Sequence, residues 1–297
     1  MSSIDLSTLP APPLIEPLDY ETIYQQQLSD FRRAMGEGWT APLESDPIVK
    51  LLEVVAYREL LLRARVNDAA RGVMLAYAVN GDLDQIGAGY NVARLLIDPG
   101  DSQAVPPRAP VYESDPDFRR RIQLSFEGYT TAGSTASYVF HGLGAAADVA
   151  DISAVSPTPG SVTVYVLSRE GNGKASEALL AQVAAALNAE HVRPLTDRVT
   201  VQSASIVSYV ITAELVMLPG PDSAVVHAAA RSAIEAYTQE QHALDRDITL
   251  SGVYHALHQP GVQRVNLSSP AKNLAISAGE ASYCTAINLT VAGTTDV

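Results

Sequence analysis

One helical pattern between residues 46 and 77 constrains the fold of this 297-residue chain more than any other feature. Asp46-Pro47 places a capping side chain before a proline at the first helical position, a common start of an α-helix. Apolar residues then recur at helical spacing until Asn80-Gly81 ends the pattern: Ile48, Leu51, Leu52, Val55, Leu62, Val66, Ala69, Ala70, Val73 and Tyr77. A helix of roughly 50 Å, at about 1.5 Å per residue, exceeds the ~11 residues of an average globular helix. We expect it to pack in a bundle or across a subunit boundary.

Arginines interrupt this stripe, and carboxylates of the same helix can pair with them. The set comprises four cations and three anions: Arg58, Arg63, Arg65, Arg71, Glu53, Glu59 and Asp68. A solvated or interface face is favoured over a nucleic-acid stripe. The predicted partner interface combines apolar and arginine positions: Ile48, Leu52, Val55, Arg58, Leu62, Arg65, Val66, Val73 and Tyr77.

Proline-rich segments flank the other N-terminal helices. Residues 9–17 predict an extended arm, because proline lacks an amide donor and fixes φ. A helix follows from Asp19 and ends at Gly36 and Gly38. Asp82 is expected to cap a short helix over residues 83–89.

A second proline-rich segment, residues 95–112, is predicted to connect the helical part to the rest of the chain. It contains the four prolines that we expect to form a hinge: Pro99, Pro106, Pro107 and Pro110. Helices are then predicted from Asp115-Pro116 to about Glu127 and from Ser134 to Leu143.

Beyond residue 148 strands alternate with helices. Apolar residues occupy every second position from Val207 to Met217, which predicts a strand, and shorter strands are predicted over 161–166, 199–201, 262–267 and 287–291. Helices are predicted over 176–187 and after Asp222, beyond the break at Pro219-Gly220-Pro221. The predicted class is α+β, with an N-terminal long-helix bundle region followed by two small α+β subdomains. The predicted divisions are 1–94, 95–116, 117–205 and 206–297.

One pattern of residue spacing occurs twice in the sequence, and this repeat, which we call the sequence echo, suggests that the two subdomains are related. Val149, Ile152, Ala154 and Ser156-Pro157 have the spacing of Val262, Val265, Leu267 and Ser269-Pro270, and each set follows a helix with a His-x-Leu sequence. Similar strand ends and a diverged tandem duplication both explain the echo, and both stay open.

Composition excludes several classes of protein. The net charge of −13 disfavours binding to nucleic-acid phosphates or to an anionic membrane, and no apolar run is long enough for a bilayer span. The first residues lack the basic start and apolar run of a signal peptide. The only cysteine, Cys284, precludes an intrachain disulfide, as expected for folding in a reducing cytoplasm.

No motif predicts catalysis, a cofactor or a metal. Gly171-Asn172-Gly173-Lys174 lacks the upstream glycine and the following Ser/Thr of a phosphate-binding loop, so a strand-to-helix turn is favoured. His255 and His258 share a helix face but lack further zinc ligands nearby. An oligomeric α+β enzyme with an active site scattered along the sequence is the alternative class.

Several motifs in order resemble the baseplate J-like family of contractile phage tails. The resemblance begins with Leu9-Pro10-Ala11-Pro12 and Glu44-Ser45-Asp46-Pro47 and covers nearly the whole chain. Further motifs follow at Ala56-Tyr57-Arg58-Glu59, Arg65-Val66-Asn67-Asp68-Ala69-Ala70, Gly81-Asp82-Leu83-Asp84, Ser156-Pro157-Thr158-Pro159-Gly160, Val192-Arg193-Pro194-Leu195-Thr196-Asp197 and Pro260-Gly261-Val262.

This resemblance implies a structural role in the baseplate of a phage or an R-type bacteriocin, assembled in the bacterial cytoplasm, and no enzymatic activity. Two J-like copies and one I-like protein would form a wedge, and six wedges would close around a central hub that opens on sheath contraction. Sheath-proximal and fibre-attachment proteins are further expected partners. The N-terminal helices would form the wedge core, and the C-terminal subdomains would contact neighbouring wedges.

Overall fold

A computed structural model describes residues 4–36, 43–130, 133–220 and 222–294. It divides the chain into an N-terminal unit, Met1–Arg94 with Ser114–Ile122, and a C-terminal unit, Leu95–Glu113 with Gln123–Val297. Helices dominate the first unit, and open sheets with covering helices form the second, so the predicted α+β class is confirmed. The four-part division stays a prediction. The chain passes between the two units at 94/95, 113/114 and 122/123.

Helix α1 (Tyr20–Met35) packs against α2 (Pro47–Gly72) in the N-terminal unit. The Asp46 carboxylate caps α2 by accepting from the Ile48 amide, as predicted, and the Asp19 carboxylate caps α1 by accepting from the Thr22 amide. Gly36, with a φ of 68°, ends α1 as predicted, and Gly38 lies outside the described residues.

The predicted end of the long helix was wrong. Helix α2 has 26 residues, about 39 Å at 1.5 Å per residue, and ends at Gly72 instead of continuing to Tyr77. The Asp82 carboxylate lies against Gly72, where a Cβ would come within 2.8 Å of its Oδ2. Residues 73–77 form turns and a bend, and α3 (Asn80–Gly89) begins two residues before the predicted Asp82 cap.

Helix α4 (Asp115–Leu124) completes the N-terminal unit with the buried side chains of Phe118 and Ile122. The Arg94 guanidinium lies 4.7 Å from the centre of the Phe118 ring and forms ion pairs with Asp84 and Asp115, both at 2.7 Å. Arg119 donates to the carbonyl groups of Leu75 and Ala78, at 2.7 and 2.6 Å, and so fixes the turns after α2. The helix predicted to reach Glu127 is replaced after Leu124 by a 3-10 helix over Ser125–Tyr129.

The proline-rich connector is a β-hairpin. Strands β1 (Leu96–Asp98) and β2 (Val111–Tyr112) pair antiparallel, and two backbone hydrogen bonds between Asp101 and Arg108 extend the ladder. All four predicted hinge prolines lie in this hairpin and are exposed. At its base the buried Glu113 accepts a hydrogen bond from the Leu95 amide at 3.2 Å. The hinge stays a prediction.

The first subdomain of the C-terminal unit is a three-stranded sheet covered by α5 (Thr135–Leu143) and α6 (Glu177–Leu187). Strand β4 (Ser161–Ser168) lies between β3 (Val149–Thr158), which is antiparallel, and β5 (Arg198–Ser203), which is parallel. Ser134 and Ser176, the first residues of the two predicted helices, cap α5 and α6 through their hydroxyl groups. The core consists mainly of alternate strand residues and one face of each helix.

The second subdomain has the strand order β7-β6-β8, with β6 (Ser205–Met217) in the centre. Strand β7 (Val262–Ser269) is antiparallel to β6, and β8 (Glu280–Thr294) is parallel to it. Helices α7 (Ser223–Gln241) and α8 (Leu250–Leu257) cover this sheet, and the Asp222 carboxylate caps α7 as predicted. Strand β8 is longer than predicted, and Pro221 lies outside the described residues.

The sequence echo falls on equivalent elements of the two subdomains. In both, a short helix (α5 or α8) leads into the strand that is antiparallel to the central one. The chain order differs, because α5-β3 precedes its central strand, whereas α8-β7 follows α7. A simple tandem copy does not reproduce this permuted order, and duplication with rearrangement stays open.

A buried carboxylate joins the two subdomains. Asp151 of β3 is 7% exposed, and its Oδ2 accepts a hydrogen bond from the Leu244 amide at 3.0 Å, across 93 residues of sequence. Leu244 itself packs with Leu167, Ala204 and Ala281 in an apolar cluster drawn from both sheets. His242 lies beside this cluster and so close to Gly173 that a Cβ at position 173 would be 3.0 Å from its ring.

We expect Asp151→Ala to lower the free energy of unfolding by about 1–3 kcal/mol, because the Leu244 amide would lose a buried acceptor. Denaturant titration followed by circular dichroism measures the change. Asp148→Ala, at an exposed position in the turn before β3, is the matched control and should leave the midpoint unchanged. Equal midpoints for the two variants would show that the Asp151 bond does not fasten the subdomains.

Candidate assembly interface

One side of α2 is covered within the N-terminal unit. Its buried residues are Val49, Ala56, Asn67 and Ala70, all on the same side of the helix. All four have side chains of small or modest size, which lets neighbouring backbone approach the helix closely. The larger apolar residues of α2 lie elsewhere.

The opposite side of α2 exposes a continuous apolar surface, which we call the α2 ridge. Its members are between 44% and 67% exposed and cover roughly 140° of the helix circumference at about 100° per residue: Leu51, Val54, Val55, Leu61, Leu62 and Val66. Apolar surface of this continuity on a helix marks an interaction site in soluble proteins.

The predicted interface residues divide into three groups. Val55, Leu62, Val66, Arg58 and Arg65 lie on the α2 ridge side and are exposed. Ile48 and Leu52 are half-buried at its flank, and Val73, 77% exposed, lies beyond the end of the helix. Tyr77 is half-buried, and its hydroxyl donates to the Leu9 carbonyl group at 3.0 Å. Their role in binding a partner stays a prediction.

Three ridge residues were missing from the predicted interface: Leu51, Val54 and Leu61. The sequence held the signal for them, because positions 51, 54, 58, 61 and 65 follow the alternating three- and four-residue steps of one helix face. The residue type alone does not reveal which of the two apolar sides is covered.

An open groove of about 600 Å³ borders the α2 ridge, next to the start of α1. It is lined by Tyr20, Glu53, Val54, Tyr57, Arg58 and Leu61. Partial burial and the Glu53 carboxylate raise the pKa of Tyr20, so its phenol is neutral at physiological pH. The groove therefore offers aromatic and aliphatic walls with one cation, Arg58, at its border with the α2 ridge.

The cations of α2 differ in whether they form ion pairs. Arg63 pairs with Glu59 at 2.7 Å and Glu16 at 3.1 Å, Arg71 with Asp68 at 3.5 Å, and Lys50 with Glu53 at 2.9 Å. Arg58 and Arg65 have no ion pair or hydrogen bond within the part of the chain that the structure describes. The predicted pairing of arginines with carboxylates of the same helix is thus found for Arg63 and Arg71 only.

The proline-rich arm lies along α2 of its own chain. The side-chain amide of the buried Asn67 accepts from the Glu16 amide at 3.2 Å and donates to the Glu16 carbonyl group at 2.8 Å. Because both backbone groups of Glu16 are satisfied by one side chain, Asn67 holds the arm as a neighbouring strand would. The Tyr77 hydroxyl on Leu9 adds a second fixed point.

We expect Asn67→Leu to release the arm, because leucine cannot replace either hydrogen bond to Glu16. Hydrogen exchange followed by mass spectrometry should show at least tenfold faster exchange in a peptide covering residues 14–20, with the α2 peptides unchanged. Asp68→Ala alters the exposed neighbouring position and serves as the control. Unchanged exchange in Asn67→Leu would mean that the prolines alone position the arm.

The described residues hold no cluster of side chains suited to bind a metal ion. No group of three or more His, Cys, Asp or Glu side chains converges among them. Burial raises the pKa of the Cys284 thiol, which disfavours the reactive thiolate. Gly173, with a φ of 96°, lies in the turn between β4 and α6, as predicted. No helix within the described ranges is long and apolar enough to cross a membrane.

Comparison with known proteins gives the family. Models of the baseplate J-like N-terminal, central and C-terminal domains match residues 44–101, 130–203 and 209–290 in succession. The chain is also 52% identical over 301 residues to baseplate protein J of Escherichia phage P2, with 99% of each chain covered. The chain belongs to the baseplate J-like family. The resemblance seen in the sequence motifs is thereby confirmed, and a structural role in a phage-type baseplate follows.

The J-like match to residues 44–101 contains the whole of α2 and therefore the α2 ridge. Among solved structures, this J-like chain is similar to a chain in the baseplate of the anti-feeding prophage, with a TM-score of 0.41 and 15% identity. That similarity covers 60% of this chain, which spans less than half, 44%, of the prophage chain.

Proposed function

We propose that this J-like chain is a wedge subunit of a contractile tail baseplate and that the α2 ridge is its principal assembly surface. In this proposal two copies join one I-like protein, and six such wedges form a ring around the hub. The chain has a structural role without catalysis, and assembly takes place in the bacterial cytoplasm before the particle is complete. Contacts with the hub, with sheath-proximal proteins and with fibre-attachment proteins are made by the assembled ring.

The observation that carries this proposal is the exposure of six large apolar side chains in a row on one helix. Transfer of a leucine or valine side chain from water to an apolar environment stabilises by about 1.5–3 kcal/mol. A stable monomer gains nothing from leaving such a row in water, whereas a subunit that assembles recovers this free energy on binding. Helix-in-groove and helix-bundle contacts use this arrangement of anchors.

The C-terminal unit suits a different part of the same role. Its two subdomains share the Asp151 bond and the cluster around Leu244, so we propose that they act as one body in contacts with neighbouring wedges. The β-hairpin with Pro99, Pro106, Pro107 and Pro110 is the proposed hinge between the helical core and this body. Its short strands limit the bending to the strand ends and the connections beyond them.

We expect co-expression with the neighbouring I-like tail protein to yield a complex of two J-like chains and one I-like chain by native mass spectrometry. Leu62→Asp should weaken this complex by ~100-fold, because a carboxylate would be buried in an apolar contact. Its own circular dichroism and melting temperature should stay unchanged, since Leu62 is 67% exposed in the free chain.

Val225→Asp is the matched control, because Val225 is an apolar helix residue with nearly the same exposure, 66%, in the C-terminal unit. It should leave the wedge intact. A chain that ignores the I-like protein, or a Leu62→Asp variant that assembles as well as Val225→Asp, would refute the proposed assembly surface.

A further inference from the structure

Two unpaired cations lie within the α2 ridge. Arg58 and Arg65 are seven residues apart, two helical turns, and both are exposed. Apolar ridge residues flank each of them, so any partner that covers Leu61 and Leu62 must also cover these guanidinium groups. The other cations of α2, Lys50, Arg63 and Arg71, all have carboxylate partners.

Arg58 has no carboxylate three or four residues away on α2, and the one carboxylate at that spacing from Arg65 pairs with a different arginine. Positions three and four residues from Arg58 are Val54, Val55, Leu61 and Leu62, and none can form an ion pair. Asp68 lies three residues from both Arg65 and Arg71, and it pairs with Arg71 at 3.5 Å. The chain has 33 acidic residues against 20 basic ones, yet these two cations stay without a partner among the described residues.

Covering an unpaired guanidinium in an apolar contact is costly, because the charge loses its hydration. The partner of the α2 ridge must therefore supply acceptors, and carboxylates give the strongest bidentate pairs with arginine. On a helix, two carboxylates about seven residues apart would face Arg58 and Arg65 while the residues between them contact the apolar positions.

A second copy of α2 does not meet this requirement. Two α2 helices packed in parallel register would place Arg58 against Arg58, and antiparallel packing about their midpoint would place Arg58 against Arg65. No helix in the described ranges carries two carboxylates at a seven-residue spacing. Like charges in contact disfavour association, so the arginines select against self-pairing through this face.

We infer that the α2 ridge binds a helix of a different protein, which presents apolar residues flanked by two carboxylates opposite Arg58 and Arg65. The inference rests on the proposed wedge function, in which the I-like protein supplies this helix. Each copy of the J-like chain then contributes its own α2 ridge to a heterotypic contact.

The first test measures binding of the purified full-length chain to the I-like protein at several salt concentrations. Arg58→Glu and Arg65→Glu should each weaken binding at least tenfold, the double variant more, and the effect of salt on affinity should decrease in the double variant. Arg71→Glu reverses a charge on the opposite side of the same helix and should bind like the wild type. Reversal of the facing carboxylates to lysine in the I-like protein should restore binding of the double variant.

Equal affinity of the wild type and the Arg58→Glu/Arg65→Glu variant would overturn the arginine inference and leave the wedge function standing. Wild-type chain that fails to bind the I-like protein would overturn the wedge function and the assignment of that partner. The second test separates the two cases, because it needs the J-like chain alone.

In that test, sedimentation velocity compares self-association of the wild type with Arg58→Leu/Arg65→Leu, which makes the α2 ridge apolar throughout. The leucine variant should dimerise at a concentration at least tenfold lower than the wild type, and Arg71→Leu should behave like the wild type. The Leu62→Cys variant keeps both arginines. If it formed a dimer cross-linked through Cys at position 62, two α2 ridges would pair despite the arginines, and the inference would be wrong.

Discussion

The main physical constraint on the N-terminal unit is that α2 has more apolar surface than its neighbours in the unit cover. The side that packs against the unit buries residues such as Ala56 and Ala70, which allow close approach of neighbouring backbone. The side with the larger leucines and valines faces outward. A helix in a protein gains most of its stability from packing of an apolar face, so we propose that the exposed face of α2 packs against a partner. Membership in the baseplate J-like family gives the setting in which such a partner occurs.

Single buried polar side chains fasten segments that have little apolar surface of their own. Asn67 holds the arm, and Glu113 closes the base of the hairpin. Asp151 binds the loop between α7 and α8 to the first sheet. In each case a side chain provides hydrogen bonds to backbone groups that a neighbouring strand would otherwise provide, and at Leu244 the amide group that it satisfies is buried. Polar contacts of this kind fix one geometry, because their hydrogen bonds tolerate little displacement.

Local signals predicted the start of most elements. Asp46-Pro47 and Ser134 begin helices through side chains that contact their own amide groups, and apolar residues at every second position from 207 to 217 mark the central strand β6. The end of α2 lies where Gly72 packs against Asp82, and β8 pairs along its length with β6, which is about 75 residues away in sequence. Such contacts have no signature within the element itself. For the same reason the periodicity of α2 predicted an amphipathic helix without showing that Leu51, Val54 and Leu61 belong to its exposed face.

The exposed face of α2 must also be compatible with a free chain before assembly. An apolar row without charges would pair with its own copy as readily as with a partner, since hydrophobic contact is not directional. Arg58 and Arg65 change this balance at little cost to the free chain, because both side chains are hydrated there. Between two copies they oppose each other, whereas opposite two carboxylates they form ion pairs. In the proposed contact, the leucines and valines of the α2 ridge provide most of the affinity, and the two arginines determine which partner helix is bound.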